Sequence, residues 1–314
     1  AVLPQWRQEF DPLLANDLEK AVEAWKAVNK WQDAPSELIS PADIESLRGR
    51  LQKAWKQKRF DVPLANDDFL AAKAGLDGPM AGELFDGPDL ETLRTEVRLK
   101  WKGRFDTLLK APDPDALAQA FEELKKARGV FVSEEEFLQE LASLRKGWSE
   151  GFNAAVTKVD WAAAKEKLDG VPAGLFERPD LDKMLAQLHA AWDMAMEAPV
   201  GQNDWPAAKK LLDGLPSAFF SSTELEKRVA KVQTAWNRVF DDHVAKGEWP
   251  AAEEMTASVP PGLFLPSEID QKRTVVRKQR QQKWDEGFNG SVEKGEWDAA
   301  KTSLDAAPMG LFTE

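Results

Sequence analysis

The chain has few residues of the types that usually carry catalysis or bind metals. It contains no cysteine and only two histidines among 314 residues. His189 lies three residues before a tryptophan and His243 seven residues after one, and neither has a second histidine at the spacing of metal ligands. No glycine-rich phosphate loop and no serine nucleophile motif occurs. The sequence therefore predicts no catalytic residue, no metal site and no cofactor.

Clustered carboxylates are the remaining candidates for acid/base chemistry. They form a run of three at 134–136 and a pair at Asp241 and Asp242. Two neighbouring carboxylates can share the roles of general acid and general base. Acidic residues are also favoured in the first turns of helices, where they complement the helix dipole. We interpret these carboxylates as residues of helix starts and turns, and we expect the chain not to be an enzyme.

Basic residues give the most suggestive pattern. Six of them, and no acidic residue, lie between positions 272 and 283: Lys272, Arg273, Arg277, Lys278, Arg280 and Lys283. A cluster of this density predicts a docking site for an acidic protein segment or a phosphate-bearing partner. The alternative is that these cations pair with acids on neighbouring helices and need no partner.

The overall charge limits the classes of partner. The formal net charge is −12, which disfavours general binding to nucleic acids or to anionic membranes, because binding phosphates requires a surplus of lysine and arginine. No stretch approaches the roughly 20 apolar residues that a membrane-spanning helix needs. We therefore expect no nucleic acid partner and no insertion into a membrane.

The elements that must position these residues are visible as an internal repeat. Seven tryptophans recur at intervals of 44 to 49 residues, and four or five residues after each follows a second large apolar side chain. That spacing places both side chains on one face of a helix. The sequence therefore predicts one long helix in each repeat. These anchor tryptophans are Trp6, Trp55, Trp101, Trp148, Trp192, Trp236 and Trp284.

A second pattern follows each anchor. It consists of a large apolar residue, an alanine three residues later and usually a leucine after four more. These offsets mark one face of a short helix, and a small residue between two large ones allows a neighbouring helix to approach closely. The seven alanines are Ala21, Ala72, Ala120, Ala164, Ala208, Ala252 and Ala300.

A connecting turn ends most repeats. Glycine and proline, as in "LDGVP" and "LDGLP", terminate the short helix. A phenylalanine then follows, and we expect its ring to fill the seam between adjacent repeats. These phenylalanines are Phe85, Phe176, Phe220, Phe264 and Phe312.

Together these patterns predict an all-α protein in which residues 1–314 form a single elongated α-solenoid of about seven αα-hairpin repeats. An irregular helical bundle of two lobes is the alternative. The chain opens and closes within repeat units, so we also expect further repeats, or another domain, to flank it.

The expected function is that of a non-catalytic scaffold or adaptor that offers an extended helical surface to a protein or peptide. A small-molecule or pigment-binding module is the alternative, because indole rings between repeats could stack on flat ligands.

An elongated array makes a prediction about solution scattering. A compact globule of this length has a radius of gyration of about 20 Å. We expect small-angle scattering to give a larger value with an asymmetric distance distribution. A value at or below that of the globule would contradict the single array.

Overall fold

The computed structural model describes residues 2–29, 40–111 and 113–307. These residues are almost entirely helical, with no strand among them, which confirms the all-α prediction. Phe312 lies outside the described residues. Trp6 lies in the first helix, but its side chain is not among those that the structure describes.

The helices alternate between a longer and a shorter class. The longer ones are α1 (Val2–Asn16), α3 (Pro41–Trp55), α7 (Gly87–Lys110), α9 (Glu134–Thr157), α11 (Arg178–Gly201), α13 (Ser222–Lys246) and α15 (Pro266–Glu293). The shorter ones are α2 (Leu18–Asn29), α5 (Phe69–Asp77), α8 (Pro114–Ala127), α10 (Trp161–Asp169), α12 (Trp205–Asp213), α14 (Trp249–Ala257) and α16 (Trp297–Asp305). A π-helical segment (Lys56–Asp61) and α4 (Val62–Ala65) continue α3, and α6 (Pro79–Leu84) follows α5.

Contacts between Cα atoms divide the chain into two compact units. The first comprises Ala1–Gly151 and Gly170–Glu177, and the second comprises Phe152–Asp169 and Arg178–Glu314. Within the first, α2 packs against α1 and α3, and α7 packs against α5 and α8. Within the second, α11 lies against α10 and α12, and α15 lies against α14 and α16. The single elongated array stays a prediction.

Each long helix after α1 buries one position in common, counted from its first residue. This eleventh residue has at most 1% of its surface exposed in all six helices. The seventh and fifteenth residues lie one turn before and after it on the same face. The eleventh residues are Leu51, Val97, Leu144, Leu188, Val232 and Val276.

The short helices bury their alanines. Six of the seven alanines are completely inaccessible and the seventh, Ala300, is 5% exposed. The large residues on either side are buried in most copies. Leu168 in α10 and Trp249 in α14 are half-buried, and in α16 both are exposed, Trp297 by 68% and Leu304 by 55%. The alanine spacing therefore identified a packing position correctly in every short helix.

The turns are fastened to the long helices by a recurring hydrogen bond. The side chain three residues before the anchor tryptophan bonds to the backbone carbonyl of the residue before the turn phenylalanine. The four pairs are Gln52 Nε2 with Leu84 O (2.6 Å), Arg145 Nε with Leu175 O (2.6 Å), His189 Nε2 with Phe219 O (2.8 Å) and Gln233 Nε2 with Leu263 O (2.6 Å).

The turn phenylalanines contact the anchor tryptophans, but they are not the most buried residues of the turns. Phe85 meets the edge of Trp55 with 5.2 Å between ring centroids, and Phe220 meets Trp192 at the same distance. The preceding residue is more deeply buried, since Leu84 is completely inaccessible and Phe85 is only half-buried. The seam is filled by both residues together.

One repeat contains an extra residue, which the helix absorbs locally. In "WKQKRF" the phenylalanine follows its tryptophan after five residues rather than four. The π-helical segment places residues five apart on one face, so Phe60 remains completely buried beside Trp55. The facing helix is adapted to this segment, because a Cβ atom on Gly75 would lie 2.7 Å from the carbonyl oxygen of Arg59.

The buried alanines generate a prediction about stability. Replacing Ala164 or Ala208 by leucine adds three carbons where both alanines are completely inaccessible, so we expect each variant to lose about 1–3 kcal/mol of unfolding free energy. Ala162→Leu, on the exposed side of α10, is the matched control and should change stability by less than about 0.5 kcal/mol. Urea melts compare the three variants. Equal midpoints for the buried and exposed substitutions would show that the alanines are not packing positions.

Candidate functional site

All six predicted partner-binding residues lie on α15, the longest helix. It has 28 residues, whereas α13 has 25. Val276 occupies the buried eleventh position, so the extra turn comprises residues 277–280. The sequence analysis placed Arg280 where earlier repeats have a buried aliphatic residue, four before the anchor. In the structure Val276 takes over that buried role, and Arg280 lies in the extra turn between Val276 and Trp284.

Lys272 is not a free surface cation. Its Nζ lies 5.4 Å from the ring centroid of Trp236, 4.9 Å from that of Phe240 and 5.9 Å from that of Phe264. Ammonium groups are attracted to the faces of aromatic rings at such distances. The same seventh position of α13 is held by Arg228, which lies 3.6 Å from the ring centroid of Phe220. Lys272 therefore belongs to the packing of α15 against α13 and against the turn that precedes α15.

Two of the arginines contact α14. Arg273 donates from Nη2 to the carbonyl oxygen of Thr256 at 3.1 Å and also pairs with Asp270 at 3.3 Å. Arg280 donates to the carboxylate of Glu253 at 2.8 Å, and about a quarter of its side chain is exposed. Both arginines thus hold α15 against the preceding short helix.

The remaining three cations face solvent. Arg277 and Lys278 are exposed and form no ion pair within the described residues. Lys283 is also exposed, and its contact with Glu286 on the same helix is long, at 3.9 Å. The structure therefore gives three of the predicted residues contacts with other elements, although Arg273 remains half exposed, and leaves three without a close ion pair.

A comparison among the short helices explains Arg280. The residue after the buried alanine is lysine in α5, α10 and α12, where it pairs with an aspartate four residues later. In α14 the corresponding residues are Glu253 and Ala257, so this internal pair is absent. Glu253 therefore has no oppositely charged partner four residues later in α14, and Arg280 of α15 provides one.

The histidines have structural contacts. His189 is part of the recurring turn hydrogen bond, and its ring lies 4.4 Å from that of Phe220. His243 contacts the carboxylate of Glu248, in the turn between α13 and α14. In each histidine, the ring nitrogen that makes this contact already has a hydrogen-bonding partner within the protein.

The clustered carboxylates also have structural partners. Glu134 binds Arg128 through two hydrogen bonds, of 2.7 and 2.8 Å. The backbone N–H of Ser133 donates to Glu136 and holds the pKa of that carboxyl below its usual value. Asp242 pairs with Lys246 at 2.6 Å. The run at 134–136 lies in the first turn of α9, as the sequence analysis expected, whereas Asp241 and Asp242 lie inside α13 and not at a helix start or in a turn.

A cavity of about 570 Å³ in the first unit was not predicted from the sequence. It lies between α2, α5, α6 and the π-helical segment. Its lining combines apolar residues with three glutamates, a lysine and an arginine: Glu19, Val22, Glu23, Lys26, Trp55, Arg59, Ala71, Ala74, Gly75, Gly78, Pro79, Met80 and Glu83.

Signals for this cavity were present in the sequence. The residue two after the buried alanine is long or polar in six short helices and alanine in α5, at Ala74. The extra residue in "WKQKRF" belongs to the π-helical segment, which forms the wall of the cavity opposite Ala74. These departures from the repeat coincide, but recognising that they face one another requires the folded arrangement.

No family model matches the chain, and comparisons with curated proteins and with solved structures likewise found no significant match. In the part of the chain that the structure describes, no helix is both long and apolar enough to cross a bilayer. Among the same residues, no three histidine or acidic side chains are grouped so that they could hold a metal ion.

The pair between Arg280 and Glu253 can be tested by charge reversal. Arg280→Glu would place two carboxylates together, and we expect a loss of about 1 kcal/mol of unfolding free energy. The double variant Arg280→Glu/Glu253→Arg should recover most of that loss. Arg277→Glu is the control, since Arg277 makes no ion pair in the described residues, and it should change stability by under about 0.5 kcal/mol. If Arg280→Glu and Arg277→Glu melt alike in thermal denaturation, the pair contributes nothing.

Proposed function

We propose that the chain is a non-catalytic scaffold, built as an α-solenoid of about seven αα-hairpin repeats, that binds a protein or peptide on its helical surface. The observation that carries this proposal is the equivalence of the short helices, each of which buries its alanine at the same place. Repeats that bury equivalent positions stack side by side, and such stacks present extended surfaces to their partners.

The recurring turn hydrogen bond supports the same architecture. Glutamine, arginine and histidine perform one role three residues before an anchor tryptophan, and the acceptor is a backbone carbonyl in every case. Because the contact is present in four repeats although the side chain differs among them, it belongs to the framework of the repeat. The side chains between these framework positions are then free to vary for recognition.

The exposed cations of α15 are the candidate contact for an acidic partner. Arg277, Lys278 and Lys283 lie on one helix within seven residues. Arg277 and Lys278 form no ion pair among the described residues, and Lys283 has only the long contact with Glu286. Charges of this kind steer association and fix its register more than they add affinity. The proposed docking residues are therefore these three, with Lys272, Arg273 and Arg280 supporting the helix that presents them.

The alternative is a small-molecule or pigment-binding module that uses tryptophans between repeats. Trp297 is 68% exposed, but the deeply buried anchors give this alternative little support, because Trp192 and Trp236 are at most 1% exposed and already contact phenylalanine rings. A flat ligand would have to displace those rings. We therefore rank the scaffold first.

Reversing the exposed charges tests the docking proposal. The triple variant Arg277→Glu/Lys278→Glu/Lys283→Glu should keep the melting temperature of the parent and lose an acidic partner in affinity capture. Capture by the parent should weaken with salt, because the screening length falls from about 10 Å at 0.1 M to about 3 Å at 1 M.

A matched control reverses three exposed cations on the preceding long helix, Lys227, Lys231 and Arg238, which form no ion pair among the described residues. It applies the same change of net charge at a different place. Loss of the partner in both variants would indicate an effect of net charge alone. A folded α15 variant that retains the partner would exclude α15 as the contact, and a parent that captures no partner specifically would contradict the scaffold.

A further inference from the structure

The cavity between α2, α5 and α6 has the size and lining of a ligand site. Its volume of about 570 Å³ falls within the range of about 300–1,000 Å³ typical of small-molecule pockets. Ala74, Pro79 and Met80 supply accessible apolar surface above the buried side chains of Val22 and Trp55, and glutamates from α2 and α6 supply charge. All of these residues belong to the first unit.

Three departures from the repeat form its walls. In α5 the residue two after the buried alanine is Ala74, whereas the other short helices have Glu23, Glu122, Glu166, Lys210, Glu254 and Thr302 at that place. The next residue, Gly75, lies against the π-helical segment of the facing helix. The turn contains the additional helix α6, which contributes Met80 and Glu83. Local exceptions to a repeated rule concentrate at functional sites.

The charges in the lining favour a cation. Lys26 is neutralised by Glu83, with 2.7 Å between the nitrogen and the oxygen, and Arg59 lies 3.9 Å from Glu19. Glu23 is exposed and forms no ion pair with any side chain of the described residues. The two cations thus have acidic partners and one carboxylate is left over. The lining therefore carries one negative charge in excess, which favours a cationic ligand over an anionic one.

We propose that this cavity binds an organic cation whose ammonium group is attached to a compact apolar body. The ammonium group pairs with Glu23, and the apolar body occupies the space beside Pro79 and Met80 that the small side chain of Ala74 leaves open. This site is separate from the proposed docking surface on α15.

Three probes that share a phenyl ring but differ in charge separate the contribution of the charge from that of the apolar surface. Benzyltrimethylammonium carries the cation, benzyl alcohol is neutral and benzoate is anionic. Each is titrated into the uniformly ¹⁵N-labelled chain, and the indole N–H resonance of Trp55 is followed after assignment with a Trp55→Phe variant. We expect saturable shifts with benzyltrimethylammonium at an affinity at least about fivefold higher than that for benzyl alcohol, and no binding of benzoate.

Two variants and a control locate the site. Glu23→Gln should weaken binding of benzyltrimethylammonium by about fivefold by removing the unpaired charge. Ala74→Gln should abolish binding by filling the cavity, and it should fold normally because Ala74 is exposed. Glu122→Gln is the matched control, since Glu122 holds in α8 the place that Glu23 holds in α2 but does not line the cavity.

These outcomes test the cavity proposal alone, and they do not depend on whether the chain acts as a scaffold. Absence of any Trp55 shift with the ammonium probe would exclude the site. Equal affinity for benzyl alcohol would show that the apolar space binds without the charge and would overturn the assignment to a cation. Equal weakening by Glu23→Gln and Glu122→Gln would indicate attraction by net charge alone. None of these results bears on partner capture by α15.

Discussion

The close helix crossing at one alanine in each short helix is the contact on which the packing within each unit depends. Because a methyl group is the whole side chain, the backbone of a neighbouring helix can pass close to it. The large residues before and after the alanine then fill the space on either side of the crossing. In α12 these are Trp205 and Leu212, both less than 10% exposed. A larger residue at the crossing would separate the helices and loosen both flanking contacts at once.

The seventh position of the long helices shows how much variation this framework allows. It is occupied by Leu47, Leu93, Glu140, Met184, Arg228 and Lys272. The apolar members are buried directly, whereas a charged member must retain favourable contacts for its charge. Glu140 pairs with Lys102, and Arg228 forms two hydrogen bonds with Asp193, of 2.8 and 2.9 Å. The packing position is constant while its chemistry changes from repeat to repeat.

Lys272 is the member of this series that lacks a carboxylate. Asn237 follows Trp236 as Asp193 follows Trp192, and its buried Oδ1 has no hydrogen-bond partner among the described residues. The three aromatic rings around Lys272 therefore supply the attraction that an ion pair supplies to Arg228. Lys272, which the sequence placed in a docking patch, therefore also has a packing contact within the protein.

Whether a feature could be predicted from the sequence depends on how far apart along the chain its interacting residues lie. Helix periodicity is local, so the anchor tryptophans and the crossing alanines were identifiable by spacing alone. The pair between Arg280 and Glu253 spans 27 residues, and no local pattern distinguishes it from a pair of solvent-exposed charges. The turns were predicted in part, because phenylalanine recurs visibly. The residue before it is leucine in four turns and phenylalanine in one, and the pattern does not mark it as the more deeply buried of the two.

The extra residue near Trp55 shows how a local change becomes a cavity. The π-helical segment keeps Phe60 in the core and leaves the carbonyl of Arg59 beside α5, where only glycine fits without a shift of the backbone. Backbone contact at Gly75 then fixes the distance between the two helices. The space beside Ala74 cannot be closed by moving α5 further inward, because Gly75 already touches the opposite wall. The cavity is therefore held open by the same contact that accommodates the extra residue.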